Sequence, residues 1–291
     1  MDYVKLFIES TFGVIKWTLN QILFGVPLIE NYFWGLIIIS IMVWVFELIF
    51  PWRKNQKIFR KDFWIDIIYM FFNFFFFSIV IVGFYEIFNK LVTDLFGLTF
   101  NSIVLIDLSV FSPVIQLIIF FVVLDFFQWL THIMMHRYDF LWKFHKVHHS
   151  VKEMGFAAHF HYHWMENILY KPLKVIAVML IGGFEPEQAY IVHFLAITIG
   201  HLNHSNIKLS YGPLKYIFNN PVMHLHHHAY SSPNHHKNGV NFAISLSLWD
   251  YIFRTNHIPN EDGNTKLGYE GDESMAKSFT GQLFYGFKKG D

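Results

Sequence analysis

Histidine is the residue type through which this sequence announces chemistry. The chain carries 18, and 17 of them lie between His132 and His236. Three clusters stand out: His132-Ile-Met-Met-His136, His145-Lys-Val-His148-His149 and His224-Leu-His226-His227-His228. On a helix, positions i, i+3 and i+4 share a face, so 132/136, 145/148/149 and 224/227/228 each aim their imidazoles one way. His201-Leu-Asn-His204 adds an i, i+3 pair. An unpaired buried polar group costs about 1–3 kcal/mol, so eight would cost roughly 8–24 kcal/mol against a total stability of about 5–15 kcal/mol. Water or metal must satisfy them, and solvated histidines need no threefold helix-face spacing. Metal ligation is the reading that follows. A structural zinc site closes with four ligands and a catalytic one uses three, so eight imidazoles suit two ions better than one. Imidazole serves iron, zinc, copper and nickel, and ligand type alone does not choose among them.

Several chemistries are excluded. Cysteine is absent, which removes disulfides, thiolate zinc sites, iron–sulfur clusters and a cysteine nucleophile. There is no His-Glu-x-x-His for a zinc protease and no Gly-x-Ser-x-Gly for a serine hydrolase. Lys plus Arg (22) balances Asp plus Glu (22), so a broad basic face for nucleic acid is not expected. A histidine-rich metal transporter is the competing class. It wants ligands at mid-membrane, whereas these clusters flank the apolar runs and only His193 is deep. A lone histidine such as His193 reads as a hydrogen-bonded core residue.

The elements that must position the clusters are membrane elements. Of 291 residues, 54% are hydrophobic, 20% aromatic (35 Phe among them) and only 15% charged, against roughly 25% charged in a soluble domain. Mean hydropathy is +0.33. Trp34–Phe50, Trp64–Phe88 and Val114–Thr131 are the strongest apolar runs, long enough at about 1.5 Å per residue to cross a core of about 30 Å. Arg53, Lys54, Lys57, Arg60 and Lys61 follow the first run, while Asn89–Pro113 holds a single cation, Lys90. The positive-inside bias places the Arg53–Lys61 loop in the cytoplasm, and the third run returns there with the first cluster. Leu173–Phe184 and Gln188–Gly200, of 12 and 13 residues, are joined by Glu185-Pro186-Glu187. Their length suggests a re-entrant or bundle-buried hairpin, which brings His201 back to the same compartment. Residues 4–24 pattern as an interfacial helix or a weak extra span, with no cleavage site of a signal peptide. Asp139 is expected to cap the helix of the second cluster and Gly155 to end it; Asn220 caps the third, Pro221 opens it and Ser232-Pro233 stops it. After Asn256 the sequence turns polar and Gly-rich, as a solvated tail would.

The predicted fold is an all-α integral membrane protein: a helical bundle with about four transmembrane helices, counting the short hairpin, and a cytoplasm-facing, histidine-rich dimetal site. Residues 1–113 form membrane-anchoring helices, 114–255 the catalytic region and 256–291 the polar tail of one integrated domain. Asp125 lies seven residues before His132, near the same helical face. A carboxylate there is expected to accept a ligand's second N–H and so fix its tautomer; a helix-packing role is the alternative.

Asp125-Phe-Phe-Gln-Trp-Leu-Thr-His132-x-x-x-His136-Arg, Leu141-Trp-Lys-Phe-His145-x-x-His148-His149-Ser150 and His224-x-x-His227-His228, in this order, resemble the fatty acid hydroxylase/sterol desaturase superfamily. Asn241 with Trp249-Asp250-Tyr-Ile-Phe-Arg-Thr255 resembles the segment after its last histidine box. His163-Trp-Met-Glu166 and His204-Ser-Asn206 sit where relatives carry a His-x-x-Glu and a His-x-Asn. The resemblance covers about Val114–Thr255. It implies an integral-membrane, non-haem di-iron oxygenase acting on a lipid, with His132, His136, His145, His148, His149, His224, His227 and His228 as ligands and His204 as the next. Two iron ions are the implied cofactor, with zinc a possible substitute in purified material. His226 is an addition to the third box, and the His159-Phe-His161-Tyr-His163 alternation is denser than the family's pattern. Whether His163, His201 or His226 are ligands stays open, and His235 and His236 read as solvated loop residues.

Hydroxylation and desaturation share such machinery, and the lipid is not legible. Oxidation with O₂ needs two external electrons. The chain has no Gly-x-Gly-x-x-Gly and no soluble stretch long enough for a flavin or haem domain. A separate donor is expected: a cytochrome b5 or ferredoxin with its reductase, or a reduced pterin as in one branch of the superfamily. Arg137, Lys143, Lys146 and Lys152 are the cations for docking an acidic carrier, or for anchoring anionic headgroups. The compartment is a bacterial inner membrane or the endoplasmic reticulum; the Lys288-Lys289 ending resembles a dilysine retrieval signal.

Overall fold

The computed structural model describes residues 2–97, 104–233, 238–260 and 263–287, so His235, His236 and the Lys288-Lys289 ending lie outside the described residues. The helices are α1 Tyr3–Ile22, α2 Tyr32–Ile49, α3 Phe63–Phe71, α4 Phe77–Phe96, α5 Pro113–Arg137, α6 Asp139–His149, α7 Trp164–Leu180, α8 Pro186–His204, α9 Pro221–His227, α10 Leu248–Ile252 and α11 Phe279–Leu283. Strand structure among the described residues is confined to two-residue β1 (Ile106–Asp107) and β2 (Ile181–Gly182), paired in parallel.

Three helices are long and apolar enough to cross a membrane: α2, the continuous Phe63–Phe96 helix and α5. Their apolar side chains face outward in quantity; Met42, Phe46, Ile49, Phe76, Phe84, Phe88, Val114 and Ile118 are all exposed. Water would penalise such a surface and lipid does not. The chain is a membrane protein. The Phe63–Phe96 helix has 34 residues, about 51 Å at 1.5 Å per residue, so it outruns a hydrocarbon core of about 30 Å. A π-helical turn at Phe72–Phe76 separates α3 from α4. It turns Asn73 into the bundle, where the amide donates to the Tyr162 carbonyl oxygen at 2.9 Å and accepts from Asn167.

The α7–α8 hairpin is longer than its apolar stretches suggest, at 17 and 19 residues. α7 starts earlier, through Glu166 and Lys171, and α8 runs on through His201 and His204, polar residues that face the interior and do not count as apolar sequence. The hairpin turn docks at the end of the bundle remote from the histidines. Gly183, at φ +72°, sits so close to Asp107 that a Cβ would lie 2.3 Å from its carboxylate oxygen. Gln188 Nε2 donates to Gln116 Oε1 and the Pro113 carbonyl oxygen, which levels the start of α8 with the start of α5. Leu108, Phe120, Ile181 and Val192 seal that end. Leu36, Val43, Tyr69, Phe75, Phe160 and Ile197 form the principal core.

Two expectations are corrected. Tyr138, not Asp139, is the N-cap of α6, and the helix stops at His149 rather than running on to Gly155. The stretch after Asn256 is not a solvated tail: Leu267, Asp272, Met275, Gln282 and Tyr285 are buried. Its few apolar residues are joined in docking it by polar contacts: Tyr69 donates to Gln282 Oε1 at 3.2 Å and Lys152 ion-pairs with Asp272. Asn220 does cap α9, accepting from Met223 N at 3.0 Å, but that helix ends at His227, five residues short of Ser232.

Candidate metal centre

Four helices deliver the eight box histidines and His204 to one place. α5 brings His132 and His136, α6 brings His145, His148 and His149, α8 ends in His204, and α9 supplies His224 and His227 with His228 just beyond. They sort into two groups, His132/His136/His145/His149/His227 and His148/His204/His224/His228, and within each group one donor atom per residue lies within 4.8 Å of all the others. The second and third boxes therefore both divide: 145, 149 and 227 join one group, and 148, 224 and 228 the other.

The proton positions follow from the partners. A carbonyl oxygen only accepts, so an Nδ1 bonded to one must carry the hydrogen. His132 Nδ1 donates to Phe242 O at 2.6 Å, His148 Nδ1 to His161 O at 2.9 Å, His204 Nδ1 to Gly200 O at 2.7 Å and His227 Nδ1 to Val240 O at 2.8 Å. Each Nε2 then presents a lone pair. His148 Nε2 and His204 Nε2 lie 3.2 Å apart with no proton between them, a repulsive contact that a cation relieves. The Nε2 atoms of His136, His149, His227 and His228 are buried with no hydrogen-bond partner. Burial holds His148 down to about 3 and His227 to about 4, so both are neutral at physiological pH, the state a metal needs. The donor set fits metal ions.

A frame of polar side chains holds residues 240–246, whose carbonyls orient two of the imidazoles. Asp250 accepts from Phe242 N (3.1 Å), Ala243 N (2.9 Å), Trp129 Nε1 (3.1 Å) and Thr255 Oγ1 (2.6 Å). Asn203 donates to Ile244 O at 2.6 Å, and Asn219 to Ala243 O. Asn241 takes a positive φ of 55° and donates to Met223 O and His257 O.

Asp125 belongs to this frame. Its carboxylate accepts from Ser245 N (3.2 Å), Leu246 N (3.0 Å) and Trp249 Nε1 (2.9 Å). The expected bond to a ligand imidazole is not made, because the 245–249 turn saturates the carboxylate before it reaches a histidine. Among the described residues, the carboxylate within 4 Å of a clustered imidazole is that of Glu166, whose Oε2 lies 3.2 Å from His145 Nδ1 without hydrogen-bond alignment. Sequence reasoning noticed Glu166 in its His-x-x-Glu pattern but gave it no role; Asp250 was likewise noticed and unassigned.

The remaining histidines among the described residues fall outside both groups. His163 uses both nitrogens, Nε2 donating to Leu283 O and Nδ1 accepting from Met165 N. His201 is held by Ser40 and His159, His161 by Asp66, and His193 by the Tyr32 hydroxyl at 2.9 Å. His226 is half-buried beside Thr265. Of the cations considered for docking, Arg137 is exposed, while Lys143 lies over Phe140 and Phe144 and Lys146 over Tyr269.

A cavity of about 260 Å³ adjoins both groups; its wall includes His132 and His145 from one, His148 and His204 from the other, and Glu166.

A membrane-embedded helical bundle with a buried polyhistidine centre is the class these features define. Residues 117–255 match the fatty acid hydroxylase family model, a stretch that contains the three boxes and the Asp250 frame together, and this region is similar to the fatty acid hydroxylase/sterol desaturase superfamily. It is 30% identical over 174 residues to the ornithine lipid hydroxylase OlsE of Rhizobium tropici, covering 60% of this chain and 51% of that one. It is 28% identical over 146 residues to human alkylglycerol monooxygenase, covering 48% of this chain and 30% of that one. A very-long-chain aldehyde decarbonylase of rice is 24% identical over 163 residues, 55% of this chain and 60% of that protein. The matched region thus spans about half or less of the first two of these relatives. No solved structure matches the chain. The family is metal-dependent, and this cluster has the donors to hold metal.

Proposed function

We propose that this chain is a multi-pass membrane enzyme that hydroxylates or desaturates a lipid with O₂, using two iron ions held by the nine grouped histidines. The observation that carries the reading is the pair of imidazole groups on one cavity, with Nε2 lone pairs inside a group, those of His148 and His204, facing one another across 3.2 Å. His132, His136, His145, His149 and His227 are assigned to one ion, and His148, His204, His224 and His228 to the other. Iron bound there supplies reduction of O₂ and oxidation of a C–H bond. The protein's part is to fix ligand tautomers through the 240–246 carbonyls, to keep the imidazoles neutral by burial, and to enclose the reacting segment of the lipid away from water.

For hydroxylation, the C–H carbon, O₂, two electrons and two protons become the alcohol and water. The electrons come from a separate donor, a cytochrome b5 or ferredoxin with its reductase, or a reduced pterin. Asp125 and Asp250 act as positioning residues through the frame. The site faces the cytoplasm, on the side of the Arg53–Lys61 loop, in a bacterial inner membrane or the endoplasmic reticulum. Residues 1–113 anchor the chain and 114–255 carry the chemistry, and within 256–291 the docked stretch 263–287 braces the bundle.

The names of the relatives support a lipid substrate and oxygenase chemistry. The test is lipid mass spectrometry of a host with and without the gene. A lipid heavier by one oxygen, or lighter by two hydrogens, that vanishes in a His148→Ala strain supports the reading. Identical lipidomes contradict it.

A further inference from the structure

One face of α7 lines the cavity from end to end: Glu166, Tyr170, Lys171 and Lys174 all contribute to its wall. Glu166 stands at the histidine end. Lys171 and Lys174 follow it by five and eight residues, about 7.5 and 12 Å along a helix axis. Side chains on a helix lean toward its N-terminus, so both lysines reach back toward the metal groups. Apolar wall is supplied by Phe74, Ile197 and Ile244, as an amphipathic ligand requires.

Neither ammonium has an ion-pair partner within 4 Å among the described residues. Both side chains are half-buried. Lys171 donates to Ser78 Oγ at 3.2 Å and lies over the Phe77 ring, and Lys174 lies 5.9 Å from the Tyr170 ring centroid. No carboxylate among the described residues ion-pairs with either. Asp125 bears on Lys174 electrostatically but makes no direct ion pair with it, its carboxylate being directed at Ser245, Leu246 and Trp249, and Lys171 has no such neighbour. The other titratable groups facing this end, His159 and His193, are imidazoles that feel the lysine charge. Buried charge in apolar surroundings calls for an opposite charge, and the cavity beside these two amines is where it would sit.

We propose that Lys171 and Lys174 bind the anionic group, a phosphate or a carboxylate, of an amphipathic substrate within this cavity. The oxidised carbon then lies a few bonds from the head group, because the lysines and the metal groups share one small chamber. The binding claim stands on the cavity alone; the position of oxidation rests on the oxygenase reading.

The experiment compares three probes with one tail, dodecyl phosphate, laurate and dodecanol, binding to the purified full chain in neutral detergent, read by native mass spectrometry. At least one anionic probe is expected to bind about tenfold more tightly than dodecanol, the scale of a charge-assisted hydrogen bond. The Lys171→Met/Lys174→Met variant is expected to lose that preference while still binding dodecanol. Tighter dodecyl phosphate assigns a phosphate head group, and tighter laurate a carboxylate. Equal binding of all three, or a preference that survives in the double variant, overturns the proposal. Should the double variant not fold, single Lys171→Gln and Lys174→Gln changes read the same loss, with Lys→Arg at each position retaining the preference. No metal or turnover is needed, so a chain that shows the preference but oxidises no lipid sinks the oxygenase reading and leaves the anion site standing.

Discussion

His132 Nδ1 lies 2.6 Å from the carbonyl oxygen of Phe242, 110 residues away in the chain. The bond fixes the imidazole's tautomer and aims its Nε2 at the cluster. Phe242 is in turn held by Asp250, whose carboxylate gathers two backbone amides, an indole and a hydroxyl. Asp250→Ala strands four buried donors, each costing about 1–3 kcal/mol. A stability loss of at least about 3 kcal/mol is expected, seen as a fall in melting temperature in detergent together with reduced metal content. An unchanged melting temperature contradicts this account of the frame.

Glu166 stands 3.2 Å from His145 Nδ1. Outer partners of metal-bound histidines typically matter by about 10–100-fold in metal affinity or activity. Glu166→Gln, which keeps size and polarity, is expected to weaken metal retention against a chelator by about tenfold without unfolding the chain. Retention equal to the parent's removes Glu166 from the site.

The topology is open to labelling because the chain has no native cysteine. Lys54 and Ser231 are exposed on the histidine side of the bundle, and Ser109 is exposed at the far end beside the hairpin turn. Single cysteines at 54 and 231 are expected to react with an impermeant maleimide from one side of the membrane, and one at 109 from the other. Reaction of 54 and 231 from opposite sides is incompatible with one shared site.

Turnover is expected to require an added donor. Purified chain with O₂, lipid and NAD(P)H should be inactive until a reductase with its carrier, or a reduced pterin, is supplied. Sustained turnover without one contradicts the proposal. Charge reversal at Lys143 and Lys146 is expected to weaken coupling to an acidic carrier more than it weakens lipid binding.

Much of this was legible in sequence because helix periodicity is local. Spacing alone sets 132/136, 145/148/149 and 224/227/228 on common faces, and Asn220-Pro221 announces the start of α9. The split of the second and third boxes between two groups was not legible, since it depends on how α6 and α9 meet the ends of α5 and α8 in space. The partner of Asp125 was misassigned for a similar reason. Its proximity to His132 on one helix was visible, but the competing amides of Ser245 and Leu246 arrive from 120 and 121 residues away. Helix ends were misjudged where polar residues turn inward, as at Glu166, Lys171 and His201. There apolar character ends before the helix does.

The central claim is that the two imidazole groups each hold an iron ion, and metal analysis of the purified chain tests it most directly. Iron should be found at two per chain, or zinc at the same ratio where zinc has displaced it. His136→Ala and His224→Ala each disable one group and should lower the ratio toward one, His148→Ala and His227→Ala should abolish activity, and His257→Ala should change neither quantity. A parent chain that binds no tightly held metal, or a ratio unmoved by His136→Ala and His224→Ala, contradicts the account.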